Sequence, residues 1–120
     1  MKTMIYKERR KTPRYAYSAL AVLKTPEGPS VGEAQIMDLS MEGACVSVPL
    51  PLVADQDFLL VIHSDEGEIV VRGIVRYTQP GGVTGLNFTR LSEKATQRLE
   101  RLIQGLADMT LAGKGGPPSH

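Results

Sequence analysis

Between residues 17 and 91 the chain is a succession of short apolar runs, each closed by a cluster of Gly, Pro, Ser, Asp or Glu. Runs rich in β-branched and aromatic residues with such boundaries are typical of strands. Six strands are predicted, over 17–25, 33–40, 44–50, 57–63, 69–78 and 83–91. Six short antiparallel strands in a small domain favour closure into a barrel, because closure leaves no unpaired edge.

Alternation within the strands predicts which side chains face the core. In the fifth strand one face carries Ile69, Val71, Gly73, Val75 and Tyr77. The other face carries Val70, Arg72, Ile74 and Arg76. The first set is the predicted core face and the second the mixed, exposed face of an antiparallel sheet. The same parity rule groups Asp38 and Ser40 of the second strand with Ile36. Gly73, in the fifth strand, is predicted to mark a bend in the sheet.

A helix is predicted after the last strand. Ser92 has the character of an N-cap and Glu93 is an acid in the first turn. Apolar residues then recur at helical spacing, which predicts an amphipathic helix over 93–109. The apolar face of this helix needs a surface to cover, either a barrel end or a partner protomer. The predicted fold class is therefore mainly β, a six-stranded antiparallel barrel with a C-terminal α-helix.

The chain has 120 residues, a length typical of one domain. The predicted organisation is a flexible arm over 1–8, a domain over 9–109 and a disordered tail over 110–120. The domain divides into an arginine loop over 9–17, a barrel over 18–91 and the helix over 92–109. One cysteine, no secretory signal and no apolar run of about 18 residues predict a cytoplasmic protein without a membrane span.

The charge is unevenly placed. Residues 1–15 hold six Lys and Arg against one acid, whereas the remainder holds eight Lys and Arg against twelve Asp and Glu. A basic segment on a mildly acidic body favours a local anion site over a general nucleic-acid surface. Pro13 lies within this basic segment and disfavours a helix there, which predicts an extended or looped conformation.

Two short patterns carry the chemistry. The first is Arg10-Lys-Thr-Pro-Arg14, of form RxxxR, preceded by Arg9, and the second is Asp38-Leu-Ser40-Met-Glu-Gly43, of form DxSxxG. Guanidinium groups bind phosphates with bidentate hydrogen bonds and also pair with guanine. A carboxylate can accept the N–H groups of a guanine edge, and a hydroxyl adds a donor and an acceptor. Glycine at position 43 permits a positive-φ turn and close approach of a ligand.

The order of these motifs resembles the PilZ domain family of cyclic-di-GMP receptors. An arginine loop precedes strand one, DxSxxG follows strand two, and "GGVTGLNFTRLS" precedes a final helix, so that the resemblance covers about residues 8–108. The resemblance implies a bacterial receptor that binds cyclic-di-GMP on the outer barrel surface. Arg10 and Arg14 would bind phosphate and guanine, and Asp38, Ser40 and Gly43 would read the guanine.

The resemblance also implies how many ligands bind. A basic residue just before RxxxR favours an intercalated pair of ligands in this family, and here that residue is Arg9. Arg76 is weighed as an additional contact from a neighbouring strand. A one-domain receptor has no output module, so the predicted effect passes through an unidentified effector protein, and the helix would also allow a homodimer.

Two other functions stay open at this point. A small barrel could bind nucleic acid through its basic arm, although two Phe, four Tyr and no Trp offer few stacking surfaces. A nucleotide-free adaptor could be held by a partner through the helix. No catalytic residues, no metal site and no cofactor are predicted, because the sequence has no nucleophile–base pair, metal-ligand spacing or phosphate-cradling glycine loop.

Overall fold

The computed structural model describes residues 13–27, 30–49 and 52–115, with side chains described as far as residue 109. Within these residues, six strands precede one helix. The strands are β1 (Tyr15–Lys24), β2 (Ser30–Leu39), β3 (Gly43–Ser47), β4 (Asp57–Ser64), β5 (Gly67–Thr78) and β6 (Val83–Leu91), and the helix is α1 (Glu93–Gly115).

The strands close into an antiparallel barrel in the order β1-β2-β3-β6-β5-β4. The predicted fold class is thereby confirmed. Alternate side chains of the strands fill the interior, among them the fully buried Ile36, Leu60, Ile62, Val71 and Val75. Burial of this apolar set is the main force that holds the barrel closed.

Helix α1 begins where the sequence predicts it. The Ser92 hydroxyl accepts a hydrogen bond from the Ala95 amide at 3.0 Å, as an N-cap does. Ala95 and Leu99 are buried against the barrel core, with Leu102 and Ile103 packed beside them. The apolar stripe of the helix therefore covers the barrel itself.

Two predicted boundaries differ from the structure. The barrel begins at Tyr15 and not at residue 18, because β1 pairs with β2 from its first residue. The helix continues to Gly115, so residues 110–115 are helical where a disordered tail was expected. Ala107 to Ala112 contain no glycine or proline, and the helical hydrogen-bond ladder can extend through them. A register irregularity in the β5–β6 pairing falls at Gly73, where a bend was predicted.

Candidate functional site

A row of paired residues crosses five neighbouring strands on the outside of the barrel. Ala16 of β1 pairs with Asp38 of β2, which pairs with Cys45 of β3. Cys45 pairs with Gly85 of β6, and Gly85 with Tyr77 of β5. Cys45 faces outward because its chain neighbours Ala44 and Val46 both belong to the core. This outer row contains one member of the DxSxxG motif and a tyrosine.

Irregularities in strand pairing decide that Asp38 and Tyr77 face outward. The register shifts between Ile36 and Asp38 in the β2–β3 pairing, and between Val75 and Tyr77 in the β5–β6 pairing. The first shift inserts one extra residue into β2, and the second inserts one extra residue into β5. Each extra residue reverses the face of the residues that follow it in its strand. The parity rule puts Asp38 on the same face as Ile36 and Tyr77 on the same face as Val75, and both predictions are wrong for this reason.

Arg14 and Asp38 form an ion pair at one end of the outer row. Arg14 lies on the non-regular segment just before β1, as the neighbouring proline predicted. Its Nη1 is 3.8 Å from Oδ1 of Asp38, and the two side chains are 37% and 31% exposed. This distance is too long for a hydrogen bond.

The Asp38 carboxylate is left with an unused acceptor. Its Oδ1 is buried and accepts no hydrogen bond from any residue that the structure describes. Buried oxygen atoms of this kind usually have a donor, so an exception calls for an explanation. Oδ1 is therefore the atom of the outer row best suited to accept an N–H group from a ligand.

Ser40 organises the loop that follows Asp38. The Ser40 hydroxyl accepts hydrogen bonds from the amides of Glu42 and Gly43, both at 3.1 Å, and donates one to the Gly43 carbonyl at 3.3 Å. The residue is buried. In this conformation the hydroxyl is engaged by its own loop, and its contribution to the site is the shape of that loop.

Gly43 is required by its neighbouring strand. A Cβ atom at this position would overlap the carbonyl oxygen of Leu86 on β6. Its φ lies outside the positive region, so the positive-φ turn expected from the sequence is wrong. The reason is that Gly43 is the first residue of β3, where the backbone is already extended and pairs with Asn87.

Tyr77 is a member of the outer row that sequence reasoning missed. A Cβ atom at Gly85 would overlap the Tyr77 ring, so the ring lies across β6 at the position of that glycine. The Tyr77 side chain extends past β6 and hydrogen-bonds Cys45 on β3. Tyr77 is 40% exposed, so its ring offers an aromatic surface in the same outer row as Asp38. A glycine within a strand signals close approach by another group, and Gly85 was such a signal.

The pKa of the Cys45 thiol depends on its burial and on the charges of neighbouring residues. Burial raises the pKa of its thiol, and the charge of Asp38 raises it further. The hydrogen bond from Tyr77 and the charge of Arg14 lower the same pKa to a smaller extent. The thiol is therefore protonated at neutral pH and serves as a packing group between the carboxylate and the tyrosine, in accord with its predicted packing role.

Three predicted site residues remain, and the structure describes one of them. Arg9 and Arg10 fall outside the described residues. Arg76 is exposed on β5, directly before Tyr77 and within the irregularity that turns the tyrosine outward. The described side chains contain no group of three or more His, Cys, Asp or Glu that could hold a metal ion.

Comparison with known proteins identifies the family. The PilZ domain model matches residues 8–105, and the chain belongs to the PilZ domain family. No curated protein matches the sequence.

Several solved structures share the fold. The PilZ domain of CeSA from a cellulose-synthesizing bacterium aligns with TM-score 0.65 and 21% identity, covering 79% of this chain and 98% of that one. The PilZ domain of Escherichia coli YcgR with c-di-GMP aligns with TM-score 0.68 and 14% identity, covering 91% of this chain and 98% of that one. The K. pneumonia MrkH–c-di-GMP complex aligns with TM-score 0.65 and 18% identity, covering 89% of this chain and 54% of that one.

Within the described part of the chain, no helix has the length and apolar character needed to cross a membrane.

Proposed function

We propose that this chain is a non-catalytic receptor for cyclic-di-GMP, and that the nucleotide binds on the outer row beside Arg14 and Asp38. The observation that carries the proposal is the buried Oδ1 of Asp38, which lacks a hydrogen-bond donor among the described residues and lies 3.8 Å from a guanidinium group. Membership of the PilZ family supports the choice of ligand, as do the YcgR and MrkH structures with c-di-GMP.

The ligand would satisfy both members of the ion pair. A guanine edge presents N–H donors that suit the unused carboxylate oxygen, and a phosphate offers the bidentate contact that arginine favours. The Arg14–Asp38 pair is partly exposed and longer than a hydrogen bond, so separating it costs little. Binding therefore exchanges one weak contact for two charge-assisted hydrogen bonds.

Tyr77 would add a stacking surface. Its ring lies across Gly85 on the same outer face as Asp38. A base that stacks on an exposed aromatic ring gains about 1–3 kcal/mol. A guanine held by Asp38 and supported by Tyr77 would be fixed both at its edge and on its face.

The arginine segment completes the proposal. Arg9 and Arg10 precede Arg14 along the chain, and we assign Arg10 to the phosphates and Arg9 to a second, intercalated ligand. Contact of these arginines with a bound ligand would alter the surface that an effector protein reads. Gly43 and Ser40 contribute by shaping the loop after Asp38, and Arg76 is an outer-face cation beside Tyr77.

Isothermal titration calorimetry with cyclic-di-GMP tests the site. We expect Arg14→Ala and Asp38→Ala each to weaken binding at least about tenfold, since each removes a charge-assisted hydrogen bond. The matched controls are Arg72→Ala and Asp57→Ala, which break a similar pair, 3.6 Å apart, on another part of the wall. The controls should bind like the unaltered chain, and absence of heat from that chain in a folded state would contradict the proposal.

The same titration counts the ligands. A stoichiometry near two, falling toward one in Arg9→Ala, is expected if Arg9 supports an intercalated pair. A value near one in the unaltered chain would remove the role given to Arg9 and would leave the binding site itself in place.

A further inference from the structure

An apolar face lies on the opposite side of the barrel from Asp38 and Cys45 of the outer row. Val22, Val61 and Val70 are paired side by side across β1, β4 and β5. They face outward, because the residues that alternate with them, such as Leu23, Leu60 and Val71, belong to the core. In the closed order of strands, β4 stands opposite β3, so this valine row is remote from Asp38 and Cys45.

The apolar face is larger than the three valines. Leu20, one outward position from Val22 on β1, is 60% exposed, and Val70 is 41% exposed. Leu59 lies one outward position from Val61 on β4. The three valines are contiguous because Val61, in the middle strand, pairs with both Val22 and Val70, and Val61 itself is only 5% exposed. Single exposed apolar residues are ordinary, whereas a contiguous patch marks an interaction surface.

Charges of opposite sign flank the valine row. On one side stand Glu68 and the acidic turn of Asp65 and Glu66; Arg98 donates to the Glu68 carbonyl, and Nδ1 of His63 lies 3.8 Å from the Glu68 carboxylate. On the other side stand Lys24, Arg72 and Arg90. Arg72 and Arg90 are direct cross-strand neighbours, a repulsive arrangement, and Arg72 lies 3.6 Å from the Asp57 carboxylate.

This charge pattern fits a second copy of the same face. A two-fold axis along the valine row stacks each of the three strands on its own counterpart and exchanges the two flanks. Glu68 of one copy then faces Arg72 of the other, and the contact occurs twice. We propose that the face of β1, β4 and β5 is a homodimer interface, built on the valine row and oriented by the Glu68–Arg72 contacts.

The size of the face sets the strength of the dimer. Three strands span about 10–15 Å, so the contact belongs at the small end of specific interfaces. We therefore expect a weak, reversible dimer with a dissociation constant in the micromolar range, about 1–100 µM. The interface leaves Arg14 and Asp38 free, so the dimer does not depend on the nucleotide proposal.

Sedimentation velocity over a concentration series tests the interface. The full chain should shift from monomer to dimer with increasing concentration. Val70→Lys should weaken the dimer at least about tenfold, because it buries a charge against its own counterpart. Val53→Lys, which alters an exposed valine elsewhere, is the matched control and should leave the dimer unchanged.

A mixing experiment tests the symmetry. Glu68→Arg and Arg72→Glu should each weaken the homodimer, since each places like charges opposite one another. An equimolar mixture of the two variants should associate as the unaltered chain does, because both contacts then join opposite charges. A monomer at all concentrations up to about 1 mM, or no recovery on mixing, would overturn the proposal.

Discussion

Gly85 and Tyr77 are coupled residues, since the missing side chain of the first makes room for the ring of the second. The overlap that a Cβ atom would create is with the ring itself, and the same side chain hydrogen-bonds Cys45 on β3, the strand beyond β6. The ring therefore lies over β6, and its side chain reaches Cys45, which pairs with Asp38 in the outer row. The pair therefore determines the shape of the outer surface at the place where a base would lie.

Substituting Gly85 tests this coupling. We expect Gly85→Ala to lower the free energy of unfolding by about 1–3 kcal/mol, because the added methyl group collides with the ring. The same substitution in a Tyr77→Ala background should cost much less, since the collision is removed. Urea unfolding of the four chains of this double-mutant cycle measures the coupling, and equal costs in both backgrounds would show that the ring does not lie over residue 85.

At the scale of the elements, helix α1 and the last strand follow directly from local sequence. Strand β6 runs over Val83–Leu91 and α1 begins at Glu93, both as predicted, because a glycine-rich turn, an N-cap serine and a 3.6-residue apolar period are local signals. The facing of β2 and β5 did not follow from local sequence. Parity assumes unbroken pairing, and the register shifts at Asp38 and Tyr77 depend on the partner strands.

The N-cap of α1 gives a prediction for an element as a unit. Ser92→Ala should lower the free energy of unfolding by about 1 kcal/mol, because the Ala95 amide loses its acceptor. Ser92→Asp should retain most of the stability. As a comparison, Ser18→Ala, at an exposed position of β1, should change the free energy of unfolding by less than about 0.5 kcal/mol. Thermal unfolding followed by circular dichroism provides the measurement, and equal effects of the two alanine substitutions would contradict the capping role.

At the scale of the whole molecule, two protonated groups link folding to alkaline pH. Burial raises the pKa of Tyr17, and the charge of Asp65 adds to this, while burial and Asp38 raise the pKa of Cys45. Both groups keep their protons in the folded chain at pH values where the unfolded chain releases them. By linkage, stability must fall as the pH rises through the unfolded pKa values, about 8.5 for cysteine and 10 for tyrosine.

Chemical denaturation between pH 7 and pH 10.5 checks this linkage. The free energy of unfolding should decline above about pH 8.5, with a second decline above about pH 10. Cys45→Ala should flatten the first part of the decline and Tyr17→Phe the second. A profile that keeps its slope in both variants would mean that other groups carry the alkaline sensitivity.

Local sequence accounts for the six strands and the helix, because turn residues, alternation and capping act over a few neighbouring positions. The tertiary structure alone shows that Asp38, Cys45, Gly85 and Tyr77 form one row, and that the outward valines of β1, β4 and β5 form a continuous face. These arrangements join strands distant along the chain. Register and closure of the barrel decide them, and a pattern read along one strand contains neither.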